Sequence, residues 1–287
     1  MDVQQEDTLS PEEMEKVLGS FDIPACPARI MQVMTEAQRD EPDMRKLTGV
    51  ISSDVGMAAM TLKLANSALF RGNRAIGTVS QAIGRLGMRN IVCVAAAAAL
   101  KSSLSDLPGV LMERFWTRAS TLAMGAGLVA GHLYGISREM AFTFALFHDA
   151  AIPVMMRRFK SYPAMFEAVL AQGWPLAQME MQRFQCDHAI VGALLARTWG
   201  LPDLLARAIR HHHDYQLYKL PEPVIPHEAV SLIAVTQVAE HLASARLGAG
   251  NVEVNPLFSK ALRHLGLDEQ DLQDIQEDWE DLLPAAG

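Results

Sequence analysis

Cysteine is scarce in this sequence: Cys26, Cys93 and Cys186 are the only three, and they lie far apart. No CxxC pair occurs, so neither a cysteine-type zinc site nor a disulfide framework is indicated. All three cysteines have apolar neighbours, which predicts small core residues. This usage favours a reducing compartment, and we expect a cytoplasmic protein.

Positive charge is also in deficit. The formal net charge is −8 and the pI is about 5.6, so the broad basic face that duplex nucleic acid requires is not expected. Arginines do gather locally, at Arg71, Arg74, Arg85 and Arg89. We interpret this cluster as solvated surface and predict no nucleic-acid partner.

Long apolar runs are missing as well. The longest, residues 91–100, is too short to span a bilayer and predicts a buried helix instead. Residues 1–20 are acidic and polar, unlike a secretory signal. No association with a membrane is expected.

Helix-forming residues dominate what remains. Half of the residues are apolar, Ala, Leu and Met are abundant, and only 6% are aromatic. Together with the lack of strand alternation, this mixture favours an all-α fold. Candidate helices follow the apolar period and the Pro and Gly punctuation. In the N-terminal part the predicted helices are 28–38, a helix that follows Asp54, a helix that begins at Thr78 and ends at 84–87, and 88–101. In the C-terminal part they are 113–133, 138–157, 162–172, 176–184, 188–199, 203–213, 227–247 and a tail helix within 268–283.

The chain divides into three predicted regions. Residues 1–20 form an acidic leader with a short helix beginning at Ser10, residues 21–250 form the main domain, and residues 251–287 form an acidic helical tail. A connector at residues 102–108 suggests a subdomain boundary inside the main domain.

Two stretches carry a resemblance to a known family. Residues 54–87 contain the run Leu64, Ala65, Asn66, Ser67, and they closely resemble the signature of the HDOD domain family. Residues 187–213 join an Asp187-His188 pair to Trp199-Gly200-Leu201-Pro202 and to His211-His212-His213. This second stretch resembles a region shared by HDOD and HD-GYP domains. The resemblance runs from about residue 21 to about residue 245.

The resemblance implies an N-terminal helical subdomain packed on an HD-like helical bundle. It also implies a role in bacterial signal transduction, because HDOD domains commonly accompany receiver, GGDEF, EAL or kinase modules. The implied partners are signalling proteins: a kinase, a response regulator or a cyclic-nucleotide enzyme.

In the HD superfamily a histidine, an adjacent His-Asp pair and a distant aspartate hold the metal. Here His148 and Asp149 supply the pair, on the buried face of the predicted helix 138–157. Arg118 stands where the first histidine is expected, and Gln237 where the last aspartate is expected. With two of four ligands replaced, we expect no metal, and we predict that Arg118 pairs with Asp149 to supply the positive charge.

The remaining histidines leave two alternatives open. His212 shares a helical face with apolar residues and is predicted to point inward, whereas His213 points about 100° away by helix geometry. One interpretation makes His188 and His212 hydrogen-bonded interior side chains. The other keeps a weak metal site at His148, Asp149, His188 and His212.

Three functions compete. The leading hypothesis is a non-catalytic regulatory module, not an enzyme and without a cofactor, that acts through protein contacts by its acidic leader, its tail and the loop 221–226. A metal-dependent phosphohydrolase with altered ligands is the second. The Gly-Tyr-Pro motif of cyclic dinucleotide phosphodiesterases is missing after His213, which argues against that activity. The third is a sensor that binds nucleotide through Arg118, His148 and His212.

Overall fold

A computed structural model describes residue 19 and residues 23–37, 39–67, 69–70, 74–104, 106–172, 174–244 and 257–282, with the side chain of Arg89 excepted. Nearly all of the predicted leader, including its short helix, lies outside these residues. The described residues contain α-helices, one short 3-10 helix and no strand, so the all-α prediction is confirmed. The helices are α1 Ala28–Ala37, α2 Met44–Ser52, α3 Val55–Ala65, α4 Val79–Ser103, α5 Gly109–Gly131, α6 Arg138–Phe147, α7 Ile152–Arg158, α8 Tyr162–Gln172, α9 Leu176–Phe184, α10 His188–Thr198, α11 Asp203–His211, α12 His227–Ser244, α13 Phe258–Leu265 and α14 Glu269–Leu282.

Side-chain caps start the N-terminal helices. The Asp43 carboxylate accepts hydrogen bonds from the first backbone N–H groups of α2, and Asp54 does the same for α3. Thr78 caps α4 through its hydroxyl oxygen. Such caps satisfy N–H groups that have no partner within the helix. Helix α2 was not among the predicted helices, although Asp43 marks its start.

Helix α4 is bent at Gly87. This residue has φ 76° and ψ 164°, a conformation that a side chain disfavours. The prediction of one helix closing at residues 84–87 and a small-residue helix after it is therefore confirmed. The alanines Ala95–Ala99 beyond the bend are buried. Their small size lets α1, α2 and α6 approach the second half of α4 closely.

The C-terminal bundle is built on α5, α6 and α12, which contact one another. Gly125 in α5 makes room for a neighbour, because a Cβ atom there would lie 2.5 Å from the ring of Trp279 in α14. Gly127 is similarly close to Leu69. These glycines are packing residues, because a side chain at either position would meet a neighbouring side chain.

The predicted helix 138–157 is wrong as a single helix. It is two helices, α6 and α7, separated by a turn that contains His148 and Asp149. Pro153 explains the break, because proline lacks an N–H group and suits the first turn of a helix. Because His148 and Asp149 lie in this turn, the spacing of a single helix does not determine where their side chains point.

Among the described residues, no single helix is both long and apolar enough to cross a membrane. The two halves of α4 pass that test only when joined across their 111° bend. Helix α4 ends at Ser103 and α5 begins at Gly109. The division into regions 1–20, 21–250 and 251–287 and the subdomain boundary at residues 102–108 stay predictions.

Candidate functional site

Polar side chains from separate elements converge beside the bundle core. His148 and Asp149 lie in the turn between α6 and α7. His188 is the first residue of α10, where Asp187 caps the helix. His212 and His213 directly follow the last residue of α11. Each of these residues sits at a helix end, so its side chain can point along the bundle into a shared space.

Asp149 occupies the centre of this group, and its side chain is only 15% exposed. Its Oδ1 atom lies 3.2 Å from Nε2 of His188 and 3.5 Å from Nε2 of His212. Its Oδ2 atom lies 3.3 Å from Nε2 of His148. A buried carboxylate needs such partners to offset the loss of water.

The predicted pair between Arg118 and Asp149 is wrong. The Arg118 guanidinium lies at the rim of the site, with its side chain 34% exposed and its Nη2 atom 4.0 Å from Oε1 of Glu240. The same Glu240 oxygen is 3.7 Å from Nε2 of His148. Three imidazoles already surround Asp149, so the arginine pairs with the second carboxylate.

Backbone carbonyls fix the orientation of two rings. Nδ1 of His148 lies 2.8 Å from the carbonyl oxygen of Ala145, and Nδ1 of His212 lies 2.7 Å from that of Ile209. A carbonyl oxygen only accepts, so each Nδ1 atom is the donor and carries a proton. In the neutral form of each ring, Nε2 then presents its lone pair to the site.

A buried carboxylate fixes the third ring. Oε2 of Glu180 in α9 accepts from Nδ1 of His188 at 2.6 Å and from the backbone N–H of the same residue at 3.0 Å. The other Glu180 oxygen accepts from the hydroxyl of Tyr162. Glu180 and His188 are both completely buried.

The Nε2 atoms face one another. Nε2 of His188 lies 3.3 Å from that of His212 and 2.9 Å from that of His213. Nε2 of His148 is buried and makes no well-directed hydrogen bond among the described residues, although carboxylate oxygens of Asp149 and Glu240 lie 3.3 and 3.7 Å from it. One donor atom from each of Asp149, His188, His212 and His213 lies within 4.8 Å of all the others, as in the ligand group of a metal ion.

The carboxylates control the charge of two histidines. Burial lowers the pKa of His148, but Asp149 and Glu240 outweigh it and raise that pKa to about 10. For His188, Glu180 and Asp149 outweigh burial and hold the pKa well above its usual value. Burial raises the pKa of Asp149, but the neighbouring histidines hold it well below its usual range.

The other two histidines shift the opposite way. Burial and the neighbouring His148 and His188 lower the pKa of His212. Burial, His212 and His188 hold the pKa of His213 well below its usual value. The pocket thus attracts positive charge near its carboxylates and keeps these two imidazoles neutral, which is the form that ligates metals.

The site opens into a small cavity of about 80 Å³. Gln237 in α12 lines it and accepts a hydrogen bond from the hydroxyl of Tyr218 at 2.7 Å. The other lining residues are Phe144, His148, His212, His213, Tyr215, Ile233, Thr236, Glu240 and Leu257.

A comparison with protein-family models matches residues 23–215 to the HDOD domain. The match covers both stretches on which the resemblance rests. The chain belongs to the HDOD domain family. Membership of this family supports a regulatory module with an HD-like fold, and it does not identify a partner or an activity.

Solved structures share the HDOD fold of this chain. A Shewanella amazonensis SB2B protein, provisionally named a phosphohydrolase, has a TM-score of 0.69 at 22% identity, with 94% of this chain and 93% of that chain covered. An HDOD domain protein of unknown function from Geobacter sulfurreducens has a TM-score of 0.65 at 19% identity, covering 94% and 97%. A provisional signal transduction protein from Marinobacter aquaeolei VT8 has a TM-score of 0.64 at 21% identity, covering 98% and 59%. At these identities the likeness shows the fold, including the predicted helical subdomain packed on an HD-like bundle.

Among curated proteins, one described as uncharacterized from Treponema pallidum (strain Nichols) is 26% identical over 225 residues. The match covers 76% of this chain and 41% of the relative, so this HDOD chain spans less than half the length of that protein.

Four predicted site residues meet in the HDOD pocket: His148, Asp149, His188 and His212. Arg118 and Gln237 lie at its edge and contact neither Asp149 nor one another within hydrogen-bond distance. The inward direction of His212 is confirmed, since only 7% of the residue is exposed.

Sequence reasoning missed Glu180, Glu240 and His213. His212 keeps a helical conformation, with φ −67° and ψ −19°, and His213 is exposed as the sequence predicted, but Nε2 of His213 still lies 2.9 Å from that of His188. Glu240 lies one helical turn after Gln237, where only an aspartate was sought. Glu180 lies between Met179 and Met181, and a lone acid between apolar residues is the signal that was available.

The HDOD signature residues have a structural role away from the cavity. Asn66 donates from Nδ2 to the carbonyl oxygen of Ile76 at 2.8 Å, and its Oδ1 accepts from the N–H of Ile76 at 2.8 Å. Ala65 is buried, and its carbonyl oxygen accepts from Arg85. Leu64 packs against the core, and the buried Ser67 hydroxyl has no hydrogen-bond partner among the described residues.

Only part of the predicted arginine cluster lies among the described residues. Arg85 donates to the backbone carbonyl oxygen of Arg74 at 3.0 Å. Arg71 and the side chain of Arg89 lie outside the described part of the chain.

Proposed function

We propose that this HDOD chain is a non-catalytic regulatory module whose histidine pocket holds one divalent transition-metal ion and which acts through protein contacts. One observation carries the proposal: four donor atoms lie within 4.8 Å of one another, beside a cavity of about 80 Å³ that His212 and His213 line and that is far smaller than a site for a phosphodiester substrate. From the sequence we expected no metal, because Arg118 and Gln237 replace two ligands. We propose a metal instead, because His213 was not counted among the donors.

The spacing of the donors supports a metal ion. An ion bound tetrahedrally at about 2.0–2.1 Å from each ligand spaces the ligands about 3.4 Å apart. Asp149 Oδ1, His188 Nε2 and His212 Nε2 are separated by 3.2, 3.3 and 3.5 Å. His213 Nε2, which is 2.9 Å from that of His188, would be the fourth ligand. Imidazole with carboxylate suits zinc, iron, nickel or copper.

The side chains around Oδ2 of Asp149 favour one bound ion and not two, because cationic side chains already neutralise the carboxylates on that side. Oδ2 faces His148, and His148 with Glu240 and Arg118 forms a group in which two cationic side chains face two carboxylates. Arg118 thus supplies positive charge as the sequence suggested, but to Glu240. A bound ion would neutralise Asp149 and join the turn after α6 to α10 and α11.

The size of the cavity supports a non-catalytic role. Sites for small organic ligands occupy about 300–1,000 Å³, whereas this cavity has about 80 Å³. That volume suits an ion and a few waters. Leu257 and Tyr215 line the cavity beside the histidines and restrict access to them.

The partners proposed are signalling proteins, namely a kinase, a response regulator or a cyclic-nucleotide enzyme. The Marinobacter neighbour with the same fold is provisionally named a signal transduction protein. Helix α14 offers a surface for contact: it is fixed by Trp279 and Ile275, which are buried, and its other positions include many exposed acids. The loop 221–226 exposes Val224.

A second candidate is a metal-dependent phosphohydrolase with altered ligands. The convergent donors favour it, since a bound ion of this kind lowers the pKa of water. The Shewanella neighbour of the same fold is provisionally named a phosphohydrolase. This candidate requires the cavity to enlarge enough to admit a substrate.

Metal content decides the first part of the proposal. We expect mass spectrometry of protein dialysed without chelator to find about one Zn, Fe, Ni or Cu ion per chain. His188→Gln should lose the ion, whereas His132→Gln, which changes a histidine paired with Asp278 away from the pocket, should keep it. Protein without metal, also after incubation with Zn²⁺, Mn²⁺ or Fe²⁺, would contradict the metal proposal.

Activity decides the second part. The metal-loaded protein should leave bis-p-nitrophenyl phosphate and cyclic dinucleotides unhydrolysed. Turnover that disappears in His188→Gln would establish the hydrolase candidate instead. A rise in melting temperature with nucleotide would support the sensor hypothesis, because a ligand that binds only the native state stabilises it.

A further inference from the structure

Glu180 is a buried carboxylate outside the proposed ligand set. It lies in α9, its side chain is fully buried, and it contacts no proposed ligand other than His188. Burying an ionised carboxylate is costly unless hydrogen bonds replace the lost water. Three donors do so here: the backbone N–H of His188, the Nδ1–H of the same residue and the hydroxyl of Tyr162.

These bonds fix His188 in two ways. The bond to its backbone N–H holds the start of α10, one of the positions where a helix lacks internal partners. The bond to Nδ1 leaves Nε2 without a proton in the neutral ring and points it at Asp149 Oδ1, 3.2 Å away. The carboxylate at 2.6 Å also makes the imidazole a stronger electron donor.

Tyr162 in turn fixes Glu180. It is completely buried at the first position of α8, and its ring is stacked on Phe166 and Phe184. A carboxylate only accepts, so the Tyr162 hydroxyl must donate. Its aromatic contacts leave the tyrosine, and with it the orientation of the carboxylate, little freedom.

We propose that Glu180, held by Tyr162, is a positioning residue that sets the metal affinity of the pocket through the tautomer and direction of His188. This inference rests on the proposed function. It extends the site from the cavity to α8 and α9, which contribute no metal ligand.

Affinity for Zn²⁺ alone, measured by chelator competition, tests the proposal. Glu180→Gln keeps the side-chain shape: the carboxamide oxygen can accept from His188 while its NH2 group donates to Tyr162. Loss of the negative charge should weaken Zn²⁺ binding by about 10–100-fold. Tyr162→Phe should weaken it in the same direction by less, because Glu180 keeps both bonds to His188.

Glu36→Gln is the matched control. Glu36 is also buried, with 1% of its side chain exposed, but it bonds to Lys46 and to the N–H of Asp43, away from the pocket. Its replacement should leave Zn²⁺ affinity unchanged even if it lowers the melting temperature. An affinity of Glu180→Gln within about 2-fold of wild type would overturn the proposal, given the usual effect of such residues.

The tautomer of His188 gives a second test that needs no metal. In metal-free protein with ¹⁵N-labelled histidine, at a pH high enough for His188 to be neutral, wild type and Glu180→Gln should keep the proton of His188 on Nδ1, whereas Glu180→Met, without an acceptor, should lose this preference. If wild type takes up no metal but shows this pattern, the proposed function fails and the positioning role of Glu180 stands. If Glu180→Met keeps the Nδ1 proton, the positioning role fails even where metal binds.

Discussion

Substituting Gly192 by alanine should damage the pocket through packing alone. Gly192 lies in α10, one turn after His188, and is buried against α11. A Cβ atom there would lie 2.9 Å from Cγ2 of Ile209, whereas carbon atoms pack best at about 3.5–4.0 Å. The two helices must therefore separate. Ile209 would carry His212 with it, since its carbonyl oxygen holds Nδ1 of that histidine at 2.7 Å.

The expected change in the free energy of unfolding is the cost of overfilling the core minus the gain from replacing a helical glycine. Overfilling a packed core costs about 1–3 kcal/mol. Alanine gains about 0.5–1 kcal/mol over glycine in the middle of a helix. We expect Gly192→Ala to lower the free energy of unfolding by a net of about 0–2.5 kcal/mol, centred near 1 kcal/mol, which lowers the melting temperature by roughly 2–4 °C per kcal/mol in a chain of this size.

Urea unfolding of Gly192→Ala and Gly84→Ala measures this difference. Gly84 is an exposed residue of α4, and a Cβ atom there meets no atom within 4 Å. The control should therefore gain stability by about 0.5–1 kcal/mol. Adding Ile209→Leu to Gly192→Ala moves the branch point away from the clash, so the double variant should lose less than the sum of the single variants. If Gly192→Ala is stabilised as much as Gly84→Ala, the packing argument is refuted.

Three further predictions follow from contacts described above. Asn66→Ala should lower the free energy of unfolding by about 1–3 kcal/mol in urea, because both backbone groups of Ile76 lose their partner; an unchanged midpoint would contradict this role. Arg118→Ala should cost only about 0–1 kcal/mol, as for a partly exposed ion pair, and a loss of about 3–5 kcal/mol would indicate a buried pair instead. Burial raises the pKa of the buried Cys93 and Cys186 to about 12, and it also raises the pKa of Cys26, which stays partly exposed. Raising the pH from about 7 to about 9 should therefore speed thiol modification mainly at Cys26, since the two buried thiols form almost no thiolate below their pKa; mass spectrometry of the native protein, with unfolded protein as the control, checks this.

The sequence was sufficient for the residues whose position depends on local order. The apolar period and the caps predicted α3, α8, α9 and α10 within a residue or two. The family pattern predicted that His148-Asp149 and His188 share a pocket. His212 follows from the face of α11 that it continues. Each of these inferences uses neighbours within a few turns of helix.

The rest depends on distant partners. Glu180 is stabilised by Tyr162 from α8 and by His188 from α10, and nothing in its own helix shows that these hydrogen bonds exist. Glu240 and Arg118 pair across α12 and α5. Charge pairing between helices depends on their tertiary packing, which a single sequence does not display. Helix α13 was missed because a short helix with an apolar stripe resembles a loop when its partners are unknown.

The order of the pocket residues along the chain has a consequence for how the protein is made. The polar group around Asp149 begins at the turn after α6 and gains its last carboxylate from Glu240 in α12, with five helices and their connections in between. Bringing such distant segments together requires large loops to close, and contacts of this kind form late in folding. During synthesis the first half of the molecule can gain its own local structure long before the last helix leaves the ribosome. The four proposed ligands are complete once His213 follows α11, so a filled site would report that the turn after α6, α10 and α11 have packed together, and α12 would add the Glu240 carboxylate beside His148 afterwards.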